Sequence, residues 1–313
     1  MQESHPRGPL PRLRGCQGTA SLGLRTDKIG DAHRHASTPV CFDTHWAHQG
    51  TVGWHVVIAL YREYRPHRRL APLVECGWAR LASATGSIRV IPDGCVDLFV
   101  SSRGAAMIAG PATTFYDLRA EKGCVLAGLR FRPGTAAAVL GRPVNEFTNR
   151  LVPIDSVFGI ARDGTTEKVF AATTPSQRVA ALQRVLTGYL ADTEPLVDTA
   201  VIGAIGLLQQ RPHWPVSKLA AAVDLSERQL RRRFETAVGY GPKRLCRILR
   251  FQRLLELIHA RGDRIGWAEL ATEASYADQP HMINECRTLA GMSPVALPGG
   301  VSDSSNTAAA DTS

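Results

Sequence analysis

Between residues 56 and 132 the apolar positions fall in short runs of strand-like pattern: VVIAL (56–60), SIRVI (87–91), CVDLFV (95–100), AAMIAG (105–110) and CVLAGLRF (124–131). Turn chemistry such as Pro92-Asp93-Gly94 separates them, since these residues favour tight turns over continued strand. A spacing of roughly ten residues suits a small antiparallel barrel or sandwich better than βαβ units. Downstream the period lengthens. TAAAVL after Pro133-Gly134, QRVAALQRVLTGYL (177–190) and PLVDTAVIGAIGLLQQ (195–210) read as helices. Thr193 can cap the last of these, with Pro195 tolerated in its first turn. From 193 to about 297 the chain reads as helix and short turn throughout. Residues 1–54, rich in Pro, Gly, His and Arg without a sustained period, predict a disordered extension, and 299–313 a frayed tail.

One helix stands out within LSERQLRRRFETAVGYGP, Leu225–Pro242. Ser226 is a good N-cap, Glu227 places an acid where the helix dipole favours it, Gly239 suits the C′ position and Pro242 prevents continuation. At ~100° per residue Arg228, Arg231 and Arg232 share a face opposite Leu230, Phe234 and Ala237. Arg233 falls on the flank, as a phosphate contact or a snorkelled side chain. Crowded like charges repel, so this face calls for either solvent or a polyanion.

An internal repeat decides between them. WPVSKLAAAVDLSERQL and GWAELATEASYADQPHM each give a short helix, a tight turn and a second helix. Leu219-Ala220-x-x-Val223 corresponds to Leu270-Ala271-x-x-Ala274, Leu230 to Met282, and Gly239-Tyr-Gly-Pro242 to Gly291-Met-Ser-Pro294. A long amphipathic helix, PKRLCRILRFQRLLELIHA (242–260), joins the copies. Small alanines let paired helices lie close, as a helix-turn-helix requires, and the second helix of such a pair is the one that enters a major groove. The expected fold class is multidomain α+β: a small antiparallel β-barrel-like N-terminal domain, then an all-α domain with two helix-turn-helix units.

On the strength of LAAAVDLSERQLRRRFETAVGYGPKRL, RILRFQRLLELI, LATEASYADQPHM and AGMSP, region 193–297 resembles the AraC/XylS family of transcription regulators. IPDGCVDLFV (91–100), IAGP (108–111) and GLRFRPGTAAAVLG (128–141) resemble the uncharacterised cupin-like domain that often precedes it. The resemblance implies double-stranded DNA as partner, a homodimer, RNA polymerase contact in an activator, and an N-terminal domain that senses a small-molecule effector. The expected organisation is a sensor or pairing domain at 55–160, a helical linker at 161–192 and the DNA-binding domain at 193–298. Two departures stand out: the family's turn glycine is Asp224 in the first copy and Ser275 in the second, and Cys286 replaces the aromatic packing of Phe234.

The candidate DNA contacts are Arg228, Arg231, Arg232 and Arg233, with Lys243, Arg247 and Arg250 of the joining helix on the phosphate backbone. In the second unit Gln279, His281 and Asn284 can bond base edges. Residues 226–253 carry nine Lys/Arg against two Glu, a surplus of +7, whereas 266–297 carry Arg287 against four acids, a net of −3. Phosphate attraction is therefore expected almost entirely from the first unit and the joining helix.

The whole chain's net charge of +9 fits a polyanionic partner. Seven scattered cysteines without a C-x-x-C pair argue for reduced thiols, and no apolar run approaches the ~20 residues of a membrane span. The expectation is a cytoplasmic, nucleoid-associated protein that is not an enzyme and needs no cofactor or metal. A cupin enzyme would want clustered histidines, and 56–132 offer only His67. His33, His35, Cys41, His45 and His48 lack turn chemistry that would fix them as metal ligands. A repair methyl-transfer protein lacks its cysteine spacing, and an interaction protein with a degenerate DNA-binding domain is the remaining alternative. Arg130 and Arg132 alternate along one strand and are expected on one face, needing either an anionic ligand or pairing with Asp93 or Asp97.

Overall fold

Strand alternation builds the N-terminal half. A computed structural model describes residues 59–158, 165–191, 193–261 and 266–297. The segments 1–54 and 299–313, with the histidines of the former, lie outside the described residues. The strands are β1 (Ala59–Tyr64), β2 (Val74–Ala82), β3 (Gly86–Val90), β4 (Val96–Ser101), β5 (Ala106–Ala109), β6 (Tyr116–Ala120), β7 (Val125–Phe131) and β8 (Leu151–Pro153). Six form one antiparallel sheet in the order β1-β2-β7-β4-β5-β8, and β3 pairs β6 in a separate ribbon. The expected barrel-like layer is thus an open sheet faced by a two-stranded ribbon. Odd and even residues of its central strands serve different cores. Ala79, Leu98, Leu129 and Phe131 face one side, while Trp78, Phe99 and Leu126 face the ribbon with Ile88 and Ala120.

The helices of this half are α1 (Ala136–Leu140), α2 (Asp155–Phe158), α3 (Thr165–Phe170) and α4 (Pro175–Tyr189). A capping box between Thr174 and Gln177 starts α4. Val179, Leu182 and Leu186 then pack against the first face of the sheet. The segment expected as a helical linker is therefore a layer of the sheet domain itself.

The C-terminal half contains α5 (Thr199–Gln210), α6 (Val216–Ala221), α7 (Glu227–Val238), α8 (Pro242–Arg261), α9 (Trp267–Glu273) and α10 (Gln279–Ala290). Helix α5 starts later than the sequence suggested. Its cap is Asp198, whose carboxylate accepts from the Val201 N–H at 3.2 Å, and Thr193–Asp198 stay extended or irregular. One core joins both repeats, from Val201 and Leu208 through Leu219, Leu230, Phe234, Ile248 and Phe251 to Leu270, Met282 and Leu289. Asp224 and Ser275 do occupy the left-handed turn position, at φ 54° and 64°. Pro242 not only ends the run after α7 but opens α8, where its missing N–H costs nothing.

The two halves meet at the C-termini of α7 and α10. Gly239 caps α7 at φ 97° and Gly291 caps α10 at φ 71°. A Cβ on Gly239 would lie 2.6 Å from Thr148 Oγ1 and 2.7 Å from Pro111, and one on Gly291 would lie 2.5 Å from the Phe115 ring. Hydrogen bonds reinforce both contacts. The Thr148 hydroxyl donates to the Gly239 carbonyl (2.9 Å), Thr114 to the Thr288 carbonyl (2.8 Å), and Arg89 to the Ala290 carbonyl (3.3 Å). Between them, the Gln252 amide of α8 donates to the Pro92 carbonyl at 2.6 Å.

A left-handed backbone costs a non-glycine residue about 1–2 kcal/mol, so Ser275→Gly should stabilise the full chain by about 1 kcal/mol in urea unfolding. Gly291→Ala should act oppositely and by more, since strain is joined by the Phe115 clash. An unchanged midpoint for both would show that neither turn is strained.

Candidate nucleic-acid interface

Helix α7 is built as its sequence suggests. The Gln229 N–H donates to Ser226 Oγ (3.3 Å) while the Ser226 N–H donates to Gln229 Oε1 (2.9 Å), closing a capping box. Leu230 and Phe234 are wholly buried, and Arg228, Arg231, Arg232 and Arg233 are exposed on the outer side. Arg233 leans towards the α5 cap, with Nη1 3.4 Å from Asp198 Oδ1, in keeping with a flank position. Arg232 borders a cleft shared with Asp198, Arg142 and Pro143. Among the described residues no ion pair engages Arg228, Arg231, Arg232, Lys243 or Arg244. Arg244, exposed beside Lys243 at the start of α8, was missed in the sequence reading although its neighbour was chosen.

The rest of the joining helix differs from expectation. Arg247 and Arg250 do not present free cations: both bond Glu285 of α10, a carboxylate with only 2% of its side chain exposed. Arg250 reaches both Glu285 oxygens, at 2.8 and 2.9 Å, and lies over the Tyr276 ring at 4.7 Å. Their role as backbone contacts is corrected to a helix–helix ion cluster. A buried carboxylate needs paired, hydrogen-bonding cations, and α8 is the element facing it.

The second unit is held differently from the first. Asp278 caps α10 by accepting from the His281 N–H at 2.7 Å. The His281 ring is engaged within the protein: Nδ1 accepts from the Ala277 N–H at 3.5 Å, and Nε2 lies 3.8 Å from Glu285. The ring also meets Tyr276 edge-on, at 5.4 Å between centroids, so the structure ties it to the turn while leaving it partly exposed. Asn284 is exposed and Gln279 partly so. Cys286 fills the Phe234 position wholly buried, and burial pushes its thiol up to about 12.

In the sheet domain Arg130 and Asp97 are directly opposed on neighbouring strands. Arg130 bonds both Asp97 oxygens at 3.1 Å and Asp93 at 3.2 Å. Burial raises the Asp97 pKa, and the Arg130 charge opposes that rise. Arg132 is not its companion. The strand ends at Phe131, and Arg132 turns to Glu75 and the Ala71 carbonyl, so the expected paired guanidiniums are absent from a common face.

A helix-turn-helix domain model matches residues 219–297, spanning α7 to α10 with the second half of α6. The chain carries an AraC/XylS-type helix-turn-helix domain. Ahead of this AraC/XylS-type domain, residues 62–153 match a domain of unknown function, DUF6597. No curated protein matches the chain significantly. Solved structures of ToxT from Vibrio cholerae are similar at a distance. One from strain O395 is 9% identical, covering 68% of this chain and 92% of its own at a TM-score of 0.40. Another, from strain SCE256 and bound to an unsaturated fatty acid, is 9% identical, covering 75% and 92% at 0.37. Among the described residues no helix is long and apolar enough to cross a membrane.

The ion cluster changes what each substitution should do. Arg231→Ala and Arg232→Ala should each cost about 1–3 kcal/mol in DNA affinity if they read a base, or lower the salt slope by about 0.9 if they neutralise a phosphate. Gln279→Ala with Asn284→Ala should cost less and barely move the slope. Arg250→Ala should instead destabilise folding by about 3–5 kcal/mol, because Glu285 would lose its main partner. Binding titrations across a salt series, run beside urea unfolding, separate these; a slope change without destabilisation in Arg250→Ala would reverse the assignment.

Proposed function

We propose that this protein is a non-enzymatic, ligand-responsive transcriptional regulator that docks α7 and α10 in successive major grooves of double-stranded DNA. The observation that carries the reading is the exposed Arg228, Arg231 and Arg232 face on the second helix of a helix-turn-helix. Guanidinium forks fit guanine O6 and N7 or a phosphate, and the match over 219–297 supplies the same context. Lys243 and Arg244 extend the cationic strip onto the start of α8, where phosphate contact needs no particular base. The sheet domain is the effector-sensing half, and a cytoplasmic, nucleoid-associated location belongs to the same role. Homodimerisation and RNA polymerase contact belong to the same reading.

Gel-shift titration of the full chain against the DNA upstream of its own gene tests it. Sequence-specific binding that survives competitor DNA, and that Arg228→Ala with Arg231→Ala weakens at least tenfold, is the expected result. Binding no stronger to that DNA than to an unrelated duplex, or indifferent to the arginines, would favour an interaction protein instead.

A further inference from the structure

A cavity of about 120 Å³ lies between the six-stranded sheet and the β3–β6 ribbon. Its walls are aromatic: Tyr61 and Trp78 stack with centroids 6.4 Å apart, and Phe99 lies 6.1 Å from Trp78. That volume is roughly the scale at which a cavity accepts one benzene-sized ring. The polar lining has both signs. Arg130, Asp93 and Asp97 form one cluster, while Arg80 on the sheet and Arg89 on the ribbon also line the cavity. An anion would meet two carboxylates there, and a cation three guanidiniums. The Trp78 indole N–H is buried beside Asp97, so a donor and carboxylate acceptors adjoin one another in the lining. A neutral head group that both donates and accepts satisfies that pair.

Two lining residues lead out of the cavity. Arg89 forks onto Asp117 at 2.9 and 3.0 Å, lies over Phe115 at 4.3 Å and donates to the Ala290 carbonyl at the end of α10. Gln252 is part of α8 and holds the Pro92 carbonyl, next to Asp93. We propose that this cavity binds a small, neutral, planar ring bearing an amide or hydroxyl, and that Arg89 and Gln252 carry its occupancy to α10 and α8. The proposal rests on the ligand-responsive reading above. It gives that reading a site, a ligand class and a route.

Three single-ring probes that differ in charge test it on the full chain: benzamide, benzoate and benzylammonium. Benzamide should bind with a Kd of about 1 mM, quench tryptophan fluorescence, and raise Tm by about 2–4 °C at tenfold excess over Kd. Benzoate and benzylammonium should do neither. Trp78→Phe removes the donor, and Ala109→Val narrows the cavity from the β5 wall; each should abolish the benzamide response. Ala109→Val keeps the test decisive should Trp78→Phe fail to fold. A benzamide response unchanged in Ala109→Val, equal binding of the charged rings, or no benzamide binding by the wild type overturns the ligand assignment.

The route is read on the DNA upstream of the gene. Benzamide should tighten wild-type binding about fivefold by ordering the contact with α10, and Asp117→Asn, which loosens the Arg89 fork from outside the cavity lining, should bind benzamide yet lose that gain. A gain that persists in Asp117→Asn, or no gain in the wild type, overturns the route. Binding by the ligand-free protein is measured in the same titration. Failure of the regulator reading shows there as no specific binding, and failure of this inference as specific binding that benzamide leaves unchanged.

Discussion

Two glycines that end helices in left-handed turns, Gly239 and Gly291, let the sheet domain come within contact distance of both candidate recognition helices. No other residue type combines a positive φ at low cost with the absence of a Cβ. The two positions are equivalents of one another in the internal repeat, so the sheet domain grips the same feature twice. The 110–115 loop reaches both, with Pro111 at Gly239 and with Thr114 and Phe115 at the end of α10. The separation of the two helices is therefore set by α8 on one side and by this loop on the other. Each capping carbonyl used in the grip would otherwise need water, so the contact also satisfies helix ends.

Charge is divided unevenly over this frame. The joining helix looks strongly basic in sequence, yet Arg247 and Arg250 are spent on Glu285 and Arg253 pairs with Glu256, which leaves α7 and the first turn of α8 with the densest group of exposed cations. Glu285 in turn is less of an obstacle to DNA than its sequence count implies, because its charge is covered and buried. The correction moves both units toward neutrality without reversing their order. The first unit still holds the arginine face, and the second still lacks one.

Period and caps made the helical half legible. Ser226, Gly239 and the Leu219/Leu270 correspondence are local signals, and local signals fix helices to within a residue or two. The late start of α5 was less visible because Thr193 and Asp198 are both acceptable caps, and only packing selects the second. Strands fared worse. β2 carries Glu75, Gly77 and Arg80 and shows no clean alternation, although it is paired on both sides, by β1 and β7, since its apolar positions are shared between two cores. β6, YDLRA, is polar because it belongs to a half-exposed ribbon. At the site, exposure of the α7 arginines followed from the helix period. The capture of Arg247, Arg250 and His281 by groups distant in sequence or across a turn did not, because a single chain does not display which helix faces which.

The asymmetry has a structural counterpart. A second unit with Cys286 in place of an aromatic, Ser275 in a left-handed turn and few cations has less local support than the first. Its attachments are the buried Glu285 cluster, which ties α10 to α8, and Arg89, Thr114 and Phe115, which tie its C-terminus to the sheet domain. The first unit is held by the sheet domain along α7 as well, by α1 and the 144–148 turn together with Pro111, but its arginine front stands clear of them. Both candidate recognition helices are thus positioned in part by the sheet domain, so a change in that domain reaches both DNA-facing units, and the second meets it with less internal support.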